Sequence, residues 1–188
     1  MNIVMIHSGV AKVSFLFLSR LLKAKGLVEF LDAAAIMKGR NSQAKFLVYG
    51  QVEDSSLGVE PLLIQKMHKE GIIYYGGVVH DVRTVIKSTH VLVLPTFYRE
   101  GLPRCIQEAM AIGRPVITTD FAGCSNILDE KTNGLTVPAK DVTALVSAME
   151  WFCSNEDILP VMAAECRKVA EKYFDCNKSD ETLIKLMI

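Results

Sequence analysis

The chain has 188 residues, of which 50% are hydrophobic and 22% are charged, and its 21 basic residues balance 21 acidic ones. This composition suits one globular domain with a sizeable core, and the zero net charge gives no general attraction to nucleic acid. Five cysteines without a C-x-x-C pair disfavour a disulfide framework and a structural zinc site. With no signal peptide and no apolar run of membrane-spanning length, the expected setting is the cytoplasm.

Short apolar runs alternate with helix-periodic segments along the whole chain. Residues 1–12 are expected to form a strand or a ragged terminus, residues 13–175 the domain, and residues 176–188 a tail or helix. In chain order, the predicted strands are Val13–Leu18, Lys45–Tyr49, Ile72–Tyr75, Val91–Leu94, Pro115–Thr118 and Leu135–Val137. The predicted helices between and after them are Leu27–Met37, Pro61–Lys69, Asp81–Ser88, Arg104–Ala111, a short one at Asn126–Leu128, Val142–Cys153 and Ile158–Tyr173.

The predicted strands lack strict alternation, which is typical of strands that are buried on both faces. Alternation with helices makes the sheet parallel, so the expected fold is an α/β, Rossmann-like, doubly wound sheet. Ligands of such sheets bind beyond the carboxyl ends of the strands. The loops that follow Leu18, Tyr75, Leu94 and Thr118 are therefore the candidate binding loops.

The loop and helix at residues 95–111 carry the richest pattern, PTFYREGLPRCIQEAMA. Pro103 is expected at the first helical position, where its missing N–H costs nothing. The N–H groups of that first turn then form an anion site, and Gly101 lets backbone approach a ligand closely. Glu100 and Glu108 share this unit, although a spacing of eight between two glutamates is common by chance.

A basic loop follows the first long strand, at Ser19–Gly26. Arg20 offers a planar fork to a phosphate and Lys25 offers a point charge. Read alone, the pattern could equally be the exposed basic start of a helix. Its position at the carboxyl end of a strand favours a phosphate contact.

These two loops resemble the E-x7-E and Arg…Lys-Gly elements of the retaining GT-B glycosyltransferases called family 4, or group 1. In form, the pattern resembles enzymes that build bacterial capsule, O-antigen and exopolysaccharide. It runs over residues 98–103 (YREGLP), 107–111 (QEAMA), 113–120 (GRPVITTD), 123–124 (GC) and 133–138 (NGLTVP).

The resemblance implies a role for each site residue. Glu108 would bind the ribose hydroxyls of a nucleotide diphosphate sugar, Glu100 would face the transferred sugar, and Arg20 and Lys25 would stabilise the departing diphosphate in place of a metal. No cofactor and no metal are expected, and the donor is expected to be a UDP-sugar. Backbone groups around the helix start, at Gly101, Leu102, Pro103 and Arg104, would hold the sugar and the phosphate. Backbone at Gly76, Gly77 and Val78 would hold the base. A plain turn is the alternative for the two glycines Gly76 and Gly77.

The resemblance covers only the second of the two Rossmann-like domains of such enzymes. The expectation is therefore a donor-binding domain, inactive alone, whose acceptor is a glycan or a lipid-linked glycan held by an absent amino-terminal domain. The full enzyme would work in the cytoplasm or peripherally at the cytoplasmic face of the inner membrane. Asn126 departs from the glutamate that the family commonly has there, which leaves the local loop geometry open.

Other classes of protein remain open at this point. The chain could be a non-catalytic sugar-nucleotide-binding or partner-docking module, or one subunit of a split enzyme. A GT-B epimerase or phosphorylase shares the architecture, but the sequence shows no pyridoxal-phosphate lysine signature.

Overall fold

The structure of the chain, a computed structural model, describes residues 13–40, 42–53, 55–98, 101–120, 123 and 127–174. Within these residues the strands are β1 (Ser14–Leu18), β2 (Lys45–Tyr49), β3 (Tyr74–Tyr75), β4 (Val91–Leu94), β5 (Val116–Thr119) and β6 (Gly134–Val137). The helices are α1 (Leu27–Gly39), α2 (Pro61–Lys69), α3 (Val82–Lys87), α4 (Arg104–Ile112), α5 (Val142–Ser154) and α6 (Leu159–Tyr173). Short 3-10 turns lie at Lys23–Lys25 and Glu156–Ile158.

The strands of the described residues form one parallel sheet in the order β3-β2-β1-β4-β5-β6. The chain starts in the middle, winds to one edge, and then returns to wind to the other. This order confirms the predicted doubly wound, Rossmann-like fold. The direction of winding reverses between β1 and β4, and a crevice opens where such a reversal occurs.

Burial explains why the central strands are apolar throughout. Every residue of β1, β4 and β5 is buried, because helices cover the sheet on both faces. One helix layer pairs α1 with α5, and the other pairs α4 with α3 and α6. Under α1, the ring centroids of Phe15 and Phe46 lie 5.7 Å apart and those of Phe30 and Phe46 lie 6.2 Å apart, which fixes the helix against β1 and β2.

The edge strand β3 is shorter than predicted. The sequence predicted a strand over Ile72–Tyr75, but only Tyr74 and Tyr75 pair with β2. The N–H groups of Ile72 and Ile73 instead donate to the carbonyl of Met67 at the end of α2, at 3.0 and 3.4 Å. The two apolar residues therefore close the helix rather than extend the sheet.

Arg114 is a fully buried cation between α4 and β5. Its guanidinium donates hydrogen bonds to the carbonyls of Ile86 at 3.2 Å and Lys87 at 2.8 Å, in the last turn of α3, and to Gly113 at 3.3 Å. Burial lowers the pKa of Arg114 from its ordinary value. The side chain thus ties α3 to the connection that follows α4.

No helix among the described residues is both long enough and apolar enough to cross a membrane.

Candidate functional site

A cleft of about 440 Å³ opens at the carboxyl ends of β1 and β4, where the strand order reverses. The basic loop after β1 contributes one wall, the start of α4 a second, and the segment from the end of β3 into α3 a third. The loop after β2 also lines the cleft, through Gly50 and Gln51. This is the position that a doubly wound sheet offers to a ligand.

The basic loop is held in place by a close backbone contact. Gly26 has a φ of +79°, and a Cβ atom there would lie 2.1 Å from the carbonyl oxygen of Pro95. Phe97 also donates its N–H to the carbonyl of Ala24 at 3.0 Å. The loop after β1 and the loop after β4 are therefore packed together. Their contact leaves no room for a side chain at position 26.

The two cations of this loop differ in their surroundings. Lys25 is buried, with 7% of its surface exposed, and its Nζ lies 5.3 Å from the ring centroid of Tyr98. Arg20 lies at the mouth of the cleft with 60% of its side chain exposed, and its Nη1 lies 3.8 Å from Oε1 of Glu53. Both line the cleft, so both can reach an anion bound there.

The second wall is the first turn of α4. Pro103 was predicted to be the first helical residue, but its ψ of 134° places it one position earlier, and α4 begins at Arg104. Pro103, Arg104 and Cys105 line the cleft, and Glu108 follows one turn later on the same face, half-buried. The wall therefore presents a helix start and a carboxylate to the same space.

The third wall is apolar and rests on glycine contacts. Val78, Val79 and Val82 line it, and Val78 is 63% exposed. Gly50 donates its N–H to the carbonyl of Gly77 at 2.9 Å, which ties the loop after β2 to the loop after β3. Such a wall suits a flat, partly apolar group such as a nucleobase.

The cleft brings together six of the predicted site residues, namely Arg20, Lys25, Val78, Pro103, Arg104 and Glu108. Four others, Gly76, Gly77, Gly101 and Leu102, lie outside its lining. Glu100, which the resemblance placed at the transferred sugar, lies outside the described residues, as does Asn126. Their roles stay predictions.

Two of the excluded positions have a clear structural explanation. Gly101 is exposed, and a Cβ atom there would have no neighbour within 4 Å. The described protein atoms around it therefore do not require a glycine at this position. Gly76 is glycine because a Cβ atom would lie 2.1 Å from the ring of Tyr49. Its glycine serves the packing of the loop on a neighbouring aromatic ring.

Two apolar residues near the cleft, Phe97 and Leu102, are half-buried. Leu102 packs against the core. Nζ of Lys140 lies 4.5 Å from the ring centroid of Phe97, so a cation covers that ring.

The lining also includes residues that were not among the predicted site residues, namely Leu18, Gly50, Gln51, Val82 and Cys105. Gly50 had the clearest signal, because it directly follows β2, the strand beside β1. The carboxyl ends of neighbouring parallel strands meet at one edge of a sheet. The loop after β2 was therefore a candidate that the prediction omitted.

Within the described ranges, no group of three or more His, Cys, Asp or Glu side chains is placed to hold a metal ion.

Comparison with known proteins identifies the family. Residues 12–155, about three quarters of the chain, match the model of the family described as "Glycosyl transferases group 1". A Campylobacter jejuni N,N'-diacetylbacillosaminyl-diphospho-undecaprenol alpha-1,3-N-acetylgalactosaminyltransferase is 30% identical over 159 residues, which cover 84% of this chain and 40% of the relative. A putative teichuronic acid biosynthesis glycosyltransferase of Bacillus subtilis is 29% identical over 89% of this chain and 40% of its own length. The chain thus spans about 40% of these curated relatives.

Solved structures share the fold. HepE of Anabaena in complex with UDP superposes with a TM-score of 0.82 at 17% identity, over 94% of this chain and 48% of HepE. The C-terminal domain of the group 1 glycosyl transferase LpcC of Francisella tularensis superposes with a TM-score of 0.76 at 20% identity, over 87% of both chains. Together with the family match, these likenesses confirm the resemblance drawn from the sequence, and the chain belongs to the group 1 glycosyl transferases.

Proposed function

We propose that this chain is the donor-binding domain of a retaining glycosyltransferase, with a nucleotide diphosphate sugar as donor and UDP-sugar as the expected form. The observation that carries the proposal is one cleft at the reversal point of the sheet, lined by Arg20, Lys25 and Glu108. Two cations and a carboxylate are the groups that a diphosphate and a ribose need.

The chemistry follows from where charge develops. When the bond between the sugar carbon and the phosphate oxygen breaks, negative charge accumulates on the departing diphosphate. Arg20 and Lys25 both line the cleft, so they are placed to stabilise this charge. Lys25 acts from a buried position, where water screens its charge less.

The two ends of the donor are proposed to lie against different walls. Glu108 accepts hydrogen bonds from the ribose hydroxyls, because a carboxylate is acceptor-only and can take both. The wall of Val78, Val79 and Val82 takes the base. The sugar is proposed to lie near Glu100, in line with the resemblance.

We propose that the acceptor is held by a region equivalent to the part of the relatives that this chain does not span. The curated relatives are more than twice as long as the matched segment. The name of the Campylobacter jejuni relative describes an undecaprenol-linked acceptor. A glycan or lipid-linked glycan at the cytoplasmic face of the membrane is therefore the acceptor class that we propose.

Binding of UDP by this chain is expected to persist in EDTA. The proposed diphosphate contacts come from Arg20, Lys25 and the start of α4, not from a bridging cation. Isothermal titration calorimetry with UDP, once with MgCl2 and once with EDTA, measures this directly. Loss of binding in EDTA would reject the metal-free site, and no binding in either buffer would reject the donor-binding function.

Replacing Glu108 by glutamine is expected to weaken UDP and uridine alike, by about 5- to 20-fold, because the amide retains only one acceptor oxygen for the ribose. Inorganic pyrophosphate, which has no ribose, is expected to bind as before. The matched control is Glu165→Gln on α6, which removes a carboxylate that is bound to Lys168, away from the cleft lining. Unchanged uridine affinity in Glu108→Gln would place the ribose elsewhere.

A further inference from the structure

Arg20 has the cleft on one side and a carboxylate on the other. Its Nη1 lies 3.8 Å from Oε1 of Glu53, whose side chain is 30% exposed. Arg20 belongs to the lining of the cleft, whereas Glu53 lies beside the cleft and outside that lining. The proposed diphosphate ligand and Glu53 would therefore share the same guanidinium.

The described residues on either side of Glu53, 51–53 and 55–59, are bonded to the basic loop. Leu21 donates its N–H to Gln51 at 2.9 Å, Lys23 donates to Leu57 at 3.0 Å, and Val59 donates back to Leu21 at 3.0 Å. Nζ of Lys23 adds a bond to the carbonyl of Ser56 at 3.1 Å. Because these bonds do not depend on a ligand, the backbone on either side of Glu53 is expected to stay beside the basic loop when the cleft fills.

The length of the ion pair determines how it acts. A separation of 3.8 Å is too long for a hydrogen bond, so charge alone joins the two groups and the guanidinium can turn to a phosphate. A diphosphate offers a charge-assisted, bidentate contact, which is stronger than an exposed ion pair. The carboxylate then remains as an unneutralised negative charge beside a negatively charged ligand, and repels it.

We propose that Glu53 sets the affinity of the donor cleft for its nucleoside diphosphate: the carboxylate neutralises Arg20 in the empty cleft, competes with the diphosphate for that guanidinium, and so promotes release of the spent nucleotide. The inference rests on the proposed function and adds to it a residue outside the cleft. It makes Glu53 an opposing charge, not a support that orients Arg20. These two roles predict effects of opposite sign.

The experiment is calorimetry on the full chain with UDP and with uridine, at low and at high salt. Glu53→Gln keeps the shape of the side chain and removes the charge. We expect it to tighten UDP binding by about two- to five-fold at low salt, less at high salt, and to leave uridine binding unchanged. In an Arg20→Ala background, which itself weakens UDP, Glu53→Gln is expected to tighten UDP distinctly less, because the shared guanidinium is gone.

The matched control is Glu150→Gln. This substitution also takes one carboxylate from an exposed arginine pair, because Oε1 of Glu150 lies 2.7 Å from Nη1 of Arg40 at the far end of α1. It is expected to leave UDP affinity unchanged. Weaker or unchanged UDP binding in Glu53→Gln, or equal tightening in Glu150→Gln, would overturn the inference while the proposed function stands. No UDP binding by the wild-type chain would overturn the proposed function, and this inference with it.

Discussion

Replacing Gly50 by alanine is expected to lower the free energy of unfolding by more than about 2 kcal/mol and to abolish UDP binding. Gly50 has a φ of +150°, and a Cβ atom there would lie 1.7 Å from the carbonyl oxygen of Ser19. Ser19 belongs to the basic loop, and its own N–H donates to the carbonyl of Tyr49 at 3.2 Å. Backbone cannot yield as a flexible side chain does, so the loop that carries Arg20 must move.

Two other glycines provide matched controls for this substitution. Gly77 has a φ of +71° but open space around its Cβ position, so Gly77→Ala tests strain without a clash and is expected to cost about 1–2 kcal/mol. Gly39 ends α1 with no close neighbour, and Gly39→Ala is expected to stabilise the chain by up to about 1 kcal/mol. Urea denaturation and UDP calorimetry measure both effects. A Gly50→Ala variant no less stable than Gly77→Ala would contradict the close approach at Ser19.

Sugar transfer is expected only when an acceptor-side domain is added to this chain. In a two-domain transferase the reacting centre lies in a cleft between the domains, and closure orients the acceptor and excludes water. Here the cleft is open to solvent, with Val78 63% exposed and Tyr98 50% exposed beside Lys25. The residues that we propose as donor contacts line this cleft, whereas nothing in the described cleft surrounds a second substrate.

The measurement is transfer from UDP-sugars to lipid-linked glycan, with the chain alone and with the chain fused to the acceptor-side portion of the Campylobacter jejuni relative. We expect no transfer above the buffer background from the chain alone, and transfer from the fusion. An Arg20→Ala fusion serves as the control, because it keeps the acceptor side and weakens the donor side. Robust transfer by the chain alone would show that it is a complete enzyme.

The sequence predicted the fold well because the signals were local. Apolar runs bounded by polar turns marked β1, β2 and β4, and Gly113 marked the end of α4, where it adopts a φ of +81°. The prediction was less accurate where a tertiary contact decides the structure. The N–H groups of Ile72 and Ile73 donate to the carbonyl of Met67, so these two residues do not extend β3. No periodic pattern in the sequence indicates these bonds.

The candidate site was predictable where chemistry depends on residue type. The sequence indicated Arg20 and Lys25 because they are charged residues that follow a strand, and it indicated Glu108 because it belongs to a motif. All three line the cleft. Glu53 could not be predicted, because it is singled out only by its distance of 3.8 Å to Arg20, which belongs to another loop. Residue type alone does not encode which loops meet.

The buried guanidinium of Arg114 has a consequence for how the domain opens. A helix of six residues such as α3 is too short to be stable by itself. Local unwinding of α3 would deprive Arg114 of its carbonyl partners at Ile86 and Lys87 and leave a buried charge poorly satisfied. Fraying of α3 is therefore coupled to disruption of the segment between α4 and β5, in the interior of the domain. Because Val82 lies at the start of α3, we expect the apolar wall of the cleft to open together with this interior segment and not alone.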